Sequence, residues 1–147
     1  MSDNYTGFSE RLKINTEAER EWVEAHFKTL GSLEDSSDEA GPEAEKLAEL
    51  YELEEWEHSL DFDWNFEDGH LSIYSEESGN VNNAATFVQL FLKEFYPEDH
   101  FHISWANWCS KSSYGEFGGG AVFITAESMD WISSYDFIQA KLKEFSS

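Results

Sequence analysis

The negative charge of this chain is concentrated in one segment, and this segment limits how the chain can fold. The sequence has 31 Asp and Glu residues against 9 Lys and Arg, which gives a formal net charge of -22. The segment from Glu34 to Glu77 holds 17 of the acidic residues, and Lys46 is its only Lys or Arg. Because burying an unpaired charge is costly, we expect these carboxylates on a charged shell around a core made by other residues.

The sequence contains enough apolar material for such a core. Hydrophobic residues make up 40% of the chain, and the aromatic residues alone (12 Phe, 6 Trp and 6 Tyr) make up 16%. High charge with few aromatic residues would indicate disorder, so this composition indicates a folded protein instead. The length of 147 residues suits one domain. We therefore predict a single domain over residues 1–147.

Cysteine content and hydropathy favour a particular cellular setting. Cys109 is the only cysteine, which excludes an internal disulfide. The N-terminal residues lack the basic and apolar regions of a signal peptide. No apolar run approaches the ~20 residues that a membrane helix needs. We expect a soluble cytoplasmic protein without a membrane partner.

Two helices are predicted in the first half of the chain. Thr16 and Glu19 form the pattern of a capping box, and apolar residues then recur near helical spacing until Gly31, where we expect the helix to end. The stretch near 31–43 is rich in Gly, Ser, Asp and Glu and predicts a mobile acidic loop. Pro42 suits the first position of a second helix, which we extend to about Glu57.

Alternating apolar and polar residues predict four strands. The first has Leu60, Phe62, Trp64 and Phe66 on one face, and Asp68-Gly69 predicts a hairpin turn to a second strand around Leu71 and Ile73. The third strand covers 101–106 and the fourth 121–126. Leu12 and Ile14 alternate with Lys13 and could form a further short strand, and the segment 129–132 is ambiguous.

Two further helices complete the predicted fold. One begins after Asn80 or Asn82 and ends at Phe95, before Pro97. The other runs from Tyr135 to Phe145, and its apolar residues are expected to face inward: Phe137, Ile138, Leu142 and Phe145. We predict an α+β fold in which an antiparallel four-stranded sheet carries helices mainly on one face.

The glycine-rich segment Gly115–Gly120 allows two interpretations. Three consecutive glycines before a strand permit close backbone approach, as in an anion-binding cradle. However, the spacing matches neither phosphate-loop nor dinucleotide patterns, and Glu116 would repel an anion. We favour a bulged hairpin connection between the third and fourth strands.

Catalytic and metal sites are weakly indicated. Cys109 could be activated by Lys111 or by His100 or His102, but no orienting third group is visible. His100 and His102 are two residues apart, and zinc needs more ligands than this pair supplies. The segment 61–65 reads D-x-D-x-N, but Phe66 occupies the glycine position of a calcium loop. We predict no enzyme activity, no metal and no cofactor.

One segment of the C-terminal half resembles a known group of proteins. The segment begins with Cys109-Ser110-Lys111 and continues from Gly115 through the glycines to Ala126. It is similar to small acidic proteins of bacteria, phages and plasmids that have no assigned activity. The resemblance covers about Leu71 to Phe137 and implies a mobile-element setting, but it implies no functional residues.

The charge predicts the kind of partner. A strongly anionic surface repels nucleic acid and attracts basic proteins, so we expect a partner with a basic surface and no direct nucleic-acid binding. The 22 charges match those of roughly 11 base pairs of DNA, about 37 Å long, and the diameter of a domain of this size is roughly 38 Å. The hypothesis is a DNA-mimic inhibitor of a nucleic-acid-binding protein, of the phage anti-CRISPR or anti-restriction kind.

The predicted partner-binding residues come from the acidic segment. They are Glu45, Glu49, Glu52, Glu54, Glu55, Glu57, Asp61 and Asp63. The alternative is an acidic accessory or immunity-type protein without nucleic-acid mimicry, because charge runs are usually solvated faces. A third hypothesis is that the protein is a small enzyme. Trp131 or Tyr135, if exposed, would mark an interface.

Overall fold

The computed structural model describes residues 4–35, 42–51, 60–76, 79–109 and 118–146. The chain forms six strands and four helices over these residues. The first five elements are β1 (Asn4–Lys13), α1 (Glu17–Asp35), α2 (Pro42–Leu50), β2 (Asp63–Glu67) and β3 (His70–Ser75). The last five are α3 (Val81–Phe95), β4 (His100–Cys109), β5 (Gly118–Thr125), β6 (Met129–Ser133) and α4 (Ser134–Ser146).

All six strands belong to one antiparallel sheet with the order β2-β3-β1-β4-β5-β6. The fold is α+β, but the prediction of a four-stranded sheet is wrong. The two strands beyond the predicted four are β1 and β6, whose sequences were only partly recognised as strands. β1 lies in the middle of the sheet between β3 and β4, and β6 forms one edge.

Local sequence signals are confirmed where the chain turns tightly. Asp68 and Gly69 have φ angles of 44° and 77°, as the two central residues of a type I′ hairpin require. Asn80 caps α3, and its side chain accepts a hydrogen bond from Asn83 N. Pro42 begins α2 as predicted.

The first helix extends further than predicted. α1 continues through Gly31 to Asp35, so the prediction that the helix ends at Gly31 is wrong. Residues 31–35, which were predicted as part of the acidic loop, are helical. Residues 36–41 lie outside the described residues, as do residues 52–59, where we had expected the second helix to continue. Thr16 is confirmed as the N-cap of α1, since Glu19 N donates to Thr16 Oγ1 at 3.2 Å. The Glu19 carboxylate accepts from Asn15 N at 3.4 Å, one residue before the position that a capping box uses.

The core lies between one face of the sheet and the helices α1 and α3. Strand side chains such as Leu71, Ile103 and Val122 are fully buried on this face, and Val23 of α1 and Phe91 of α3 meet them there. Apolar residues at every second strand position explain this one-sided burial. The helices therefore cover one face of the sheet.

The fourth helix does not join this core. None of its residues is buried, and the four side chains predicted to face inward are exposed by 49% to 91%. The prediction that they pack inward is wrong. α4 has an apolar stripe, but no described element covers it.

A buried histidine holds the second helix against the first. His26 of α1 lies 2.7 Å from the hydroxyl of Tyr51, which follows α2, in a buried contact between Nε2 and the oxygen. The ring also stacks on Trp22 with centroids 4.9 Å apart. Burial lowers the pKa of His26 to about 4 and raises the pKa of the Tyr51 hydroxyl. The folded chain therefore keeps both groups neutral near pH 7.

The lowered pKa of His26 predicts a loss of stability in acid. Between pH ~6.5, the pKa of an unperturbed histidine, and pH 4, the unfolded chain binds a proton here that the folded chain does not. Stability is thus fully present above this window and falls through it, by about 3 kcal/mol at pH 4. Urea unfolding of the wild type and His26→Gln at several pH values measures this contribution, because the carboxylates affect both proteins equally. A constant difference between them would contradict the prediction.

Candidate functional site: an acidic edge beside a tryptophan-lined cleft

Exposed carboxylates gather at the β2 side of the sheet. We call Asp61, Asp63, Glu67 and Asp68 the acidic edge; all four are exposed. β2 is the last strand on this side and pairs only with β3 in the sheet order. A charged edge strand of this kind discourages edge-to-edge aggregation, so this arrangement also has a structural use.

The pleat of β2 separates its charges from its aromatic residues. Trp64 stacks on Phe27 of α1 with centroids 4.5 Å apart, which places the even-numbered side chains toward the helices. Asp63 and Glu67 therefore point to the opposite face of the sheet. The predicted alternation on this strand is confirmed.

The structure describes four of the eight predicted partner-binding residues. Asp61 and Asp63 are exposed at the start of β2. Glu49 is exposed on α2, and Glu45 lies on the same helix. The other four lie outside the described residues: Glu52, Glu54, Glu55 and Glu57.

Negative charge also extends beyond the acidic edge. Two ion pairs between described residues, Arg20–Glu24 at 3.1 Å and Lys141–Glu144 at 3.3 Å, lie on α1 and α4. Further exposed carboxylates occur on α1, on α3, in the turns on either side of β4 and β5, and on β6: Glu17, Glu21, Glu94, Glu98, Asp99, Glu127 and Asp130. The acidic edge is thus one part of a wider anionic surface. Its residues come from the acidic segment between Glu34 and Glu77.

Charge density along the edge can be compared with that of DNA. The extended part of the edge, from Asp63 to Glu67, is about 14 Å long at 3.4 Å per residue, and it carries Asp63 and Glu67. A DNA duplex of that length carries roughly 8 phosphate charges. The described carboxylates of this strand therefore fall well below the charge density of a duplex.

Asp61 also borders a cleft at one end of the sheet, where α3 begins. The cleft has a volume of about 530 Å³ and is open to solvent. Trp105 of β4 and Trp131 of β6 line it, with ring centroids 5.9 Å apart and planes inclined by 59°. Asp136, in the first turn of α4, supplies a second carboxylate to the lining.

Glycine makes room for the cleft's inner tryptophan. Gly120 pairs with Trp105 across β4 and β5, and a Cβ at Gly120 would lie 2.5 Å from the Trp105 ring and 2.3 Å from the Ile132 carbonyl oxygen. Gly118–Gly120 are regularly paired residues of β5. Their prediction as part of a bulged connection is therefore wrong, and close packing explains the glycine at 120.

Hydrogen bonds fix the polar wall of the cleft. Thr6 Oγ1 donates to Asn107 Oδ1 at 2.9 Å between β1 and β4. Asn80 N donates to the carbonyl oxygen of Asp61 at 3.0 Å. Asp61 has a φ of 57°, a conformation that Asp tolerates better than most residues. The start of α3 is thereby tied to the start of the acidic edge.

The cleft is chemically suited to a cationic group. Tryptophan rings attract cations through their faces, and carboxylates form charge-assisted hydrogen bonds with ammonium and guanidinium groups. The lining residues in the described part of the chain include Asp61 and Asp136 but no Lys or Arg. An arginine or lysine side chain of a partner would find both kinds of contact here.

Sequence reasoning found only part of this cleft. Asp61 was predicted, and exposure of Trp131 or Tyr135 was expected to mark an interface; the two are 42% and 70% exposed. Trp105, Asn80 and Asn107 were missed as site residues. They come from separate elements, and no local pattern shows that the sheet brings them together.

The other candidate residues do not converge on a site in the described structure. His100 and His102 are exposed on β4, and His100 stacks on Phe123 with centroids 5.2 Å apart. Within the described ranges, no three His, Cys, Asp or Glu side chains group as a metal site would require. Lys111 and Glu116 lie outside those ranges.

In the part of the chain that the structure describes, no helix has the length and apolar composition needed to cross a bilayer. No protein-family model matches the sequence, and neither the curated proteins nor the solved structures contain a match.

Proposed function

We propose that this protein is a non-catalytic binding protein that uses its acidic edge to dock onto a basic surface of another protein. The observation that carries the proposal is the placement of Asp63 and Glu67 as exposed carboxylates on the edge strand β2. Complementary charge accelerates encounter and selects basic partners over acidic ones. The cytoplasm, where nucleic-acid-binding proteins are abundant, is the proposed setting.

The cleft extends this surface with a specific contact. Asp61 belongs to both the acidic edge and the cleft lining, so a basic partner held by the edge would have a cationic side chain close to Trp105 and Trp131. Rim charges mainly change association rates, whereas a cation held on a tryptophan face adds about 0.5–2 kcal/mol of affinity. The acidic edge would therefore mainly accelerate association, and the cleft would mainly add affinity once the partner is bound.

Nucleic-acid mimicry is the narrower form of the proposal. A DNA-mimic inhibitor from a phage or another mobile element would occupy the DNA groove of its target, such as a CRISPR complex or a restriction enzyme. The low charge density along β2 favours the broader function, an acidic accessory or immunity-type protein. Mimicry would require the carboxylates of 52–59 to complete the surface.

Salt and duplex DNA provide the test. The tagged chain is used to isolate a partner from cell lysate at about 0.05 M salt, and binding of the purified pair is then titrated. We expect affinity to fall by an order of magnitude or more at about 0.5 M salt, because exposed charges are screened. Affinity that does not change with salt would overturn the proposal. Competition by duplex DNA would support mimicry, and simultaneous binding of DNA and this protein would exclude it.

A further inference from the structure

The most unusual surface of the molecule outside the acidic edge is the apolar stripe of α4. Tyr135 is 70% exposed, Ile138 51%, Leu142 55% and Phe145 91%. Their spacing of three, four and three residues places them on one face of the helix, as in the seam of a helix pair. Phe137, 49% exposed, flanks this face. We call these five residues the α4 stripe.

This stripe is large for a surface that faces water. At about 200 Å² per aromatic side chain, Tyr135, Phe137 and Phe145 alone expose about 400 Å². Ile138 and Leu142 increase the total to roughly 500–600 Å², the upper range for the largest patch on a monomer. Burying it on two copies would remove roughly 1,000–1,200 Å² from water, which is near the lower limit for a specific protein interface.

The charge of α4 indicates which partner would cover the stripe. Asp136 and Glu144 balance Lys141 and Lys143, so the helix has no formal net charge in a chain of net charge -22. A basic partner would gain little attraction here. A second copy of the chain meets no strong repulsion at this helix and presents an identical apolar stripe.

We propose that two copies of this protein associate through their α4 stripes around a two-fold axis. The interface is isologous, because the same surface is used on both copies. In an antiparallel arrangement, Tyr135 of one copy meets Phe145 of the other, and Ile138 meets Leu142. This arrangement also aligns the helix dipoles favourably. This proposal does not depend on the proposed function.

The sheet order keeps the α4 stripe apart from the carboxylates of β2, whereas Asp61 shares the cleft with Asp136 at the start of α4. β2 lies at one edge of the six-stranded sheet, and β6, which leads directly into α4, lies at the other. Five strand spacings of about 4.8 Å separate the two edges by roughly 24 Å. A dimer formed through α4 would leave the β2 carboxylates Asp63 and Glu67 of both copies exposed.

Sedimentation velocity of the full chain tests the dimer. Leu142→Glu places a charge in the stripe, and Leu50→Glu is the matched control, since Leu50 is 54% exposed on α2 and Leu142 55% exposed on α4. We expect a dimer with a Kd on the order of micromolar for the wild type and Leu50→Glu, given the small interface, and at least tenfold weaker association for Leu142→Glu. Phe145→Ser, at a 91% exposed position, provides a second variant if Leu142→Glu folds poorly.

Salt separates this association from partner binding. Repulsion between two strongly negative copies is screened at high salt, so the dimer should tighten between about 0.05 and 0.5 M salt while binding to a basic partner weakens. A wild type that stays monomeric at hundreds of micromolar, on the order expected to saturate such an interface, would overturn the proposal. Equal dimerisation of Leu142→Glu and the wild type would also overturn it.

Discussion

Replacing Phe87 with alanine should destabilise this protein by about 3–5 kcal/mol, the usual cost of removing a buried phenylalanine ring. Phe87 of α3 is fully buried. Its ring centroid lies 4.9 Å from that of Phe27, 5.5 Å from that of His26, and 6.0 Å from that of Trp22. The cavity would thus open where α1, α3 and the sheet meet, and the neighbouring rings are too constrained to fill it.

This loss is a large part of the stability of a single domain, which is typically 5–15 kcal/mol. At 2–4 °C per kcal/mol for a chain of this size, the melting temperature should fall by about 6–20 °C. Thermal and urea unfolding provide the measurement. Phe123→Ala is the control, because Phe123 is 44% exposed on the opposite face of the sheet, and its cost should stay below about 1 kcal/mol. Equal losses for the two variants would show that the core is not centred on Phe87.

The elements that sequence analysis predicted correctly have strong local signals. Asp68-Gly69 determines its turn through two positive φ angles, and Asn80 caps α3 through a hydrogen bond three residues away. Both features depend on neighbouring residues only. The alternation around Trp64 also depends on local sequence only, because successive side chains of a strand point to opposite faces of the sheet.

β1 was only partly recognised, because its pattern is interrupted. Phe8 and Leu12 are buried on the core face, but Glu10 lies between them on that face. The described pairing of β1 with β4 runs from Asn4 to Gly7, and beyond it Glu10 Oε1 accepts a hydrogen bond from Ser104 N at 3.3 Å. The carboxylate of Glu10 on the core face obscures the alternation of apolar and polar residues in β1. The position of β1 between β3 and β4 depends on long-range strand pairing.

The error at α4 has a different physical origin. Helical spacing from Tyr135 to Phe145 correctly predicts an apolar face, but periodicity does not show what covers that face. The same limit applies to the cleft. Trp105 and Trp131 are 26 residues apart in sequence and meet only because β5 lies between their strands. Sites assembled by sheet order are therefore the least accessible to sequence analysis.

Neutralising the acidic edge should weaken binding to a basic partner by about 10- to 100-fold, chiefly through a slower association rate. The variant combines four changes: Asp61→Asn, Asp63→Asn, Glu67→Gln and Asp68→Asn. The shape of the edge should persist. Asn is well tolerated at the positive φ of Asp61 and Asp68, and the Glu67→Gln side chain keeps an oxygen that can accept the 3.1 Å hydrogen bond from Asn65 Nδ2. Lost affinity would then report charge rather than misfolding.

A second variant with the same net charge separates local from overall electrostatics. It combines Glu98→Gln, Asp99→Asn, Glu127→Gln and Asp130→Asn, four exposed carboxylates outside the acidic edge. Both variants raise the net charge from -22 by four. Stopped-flow association at about 0.1 M salt should show a large decrease for the edge variant and a change of less than about threefold for the control, because charges are screened beyond about 10 Å at this salt concentration. Equal decreases would mean that total charge alone steers the partner, and the acidic edge would then have no special role in recognition.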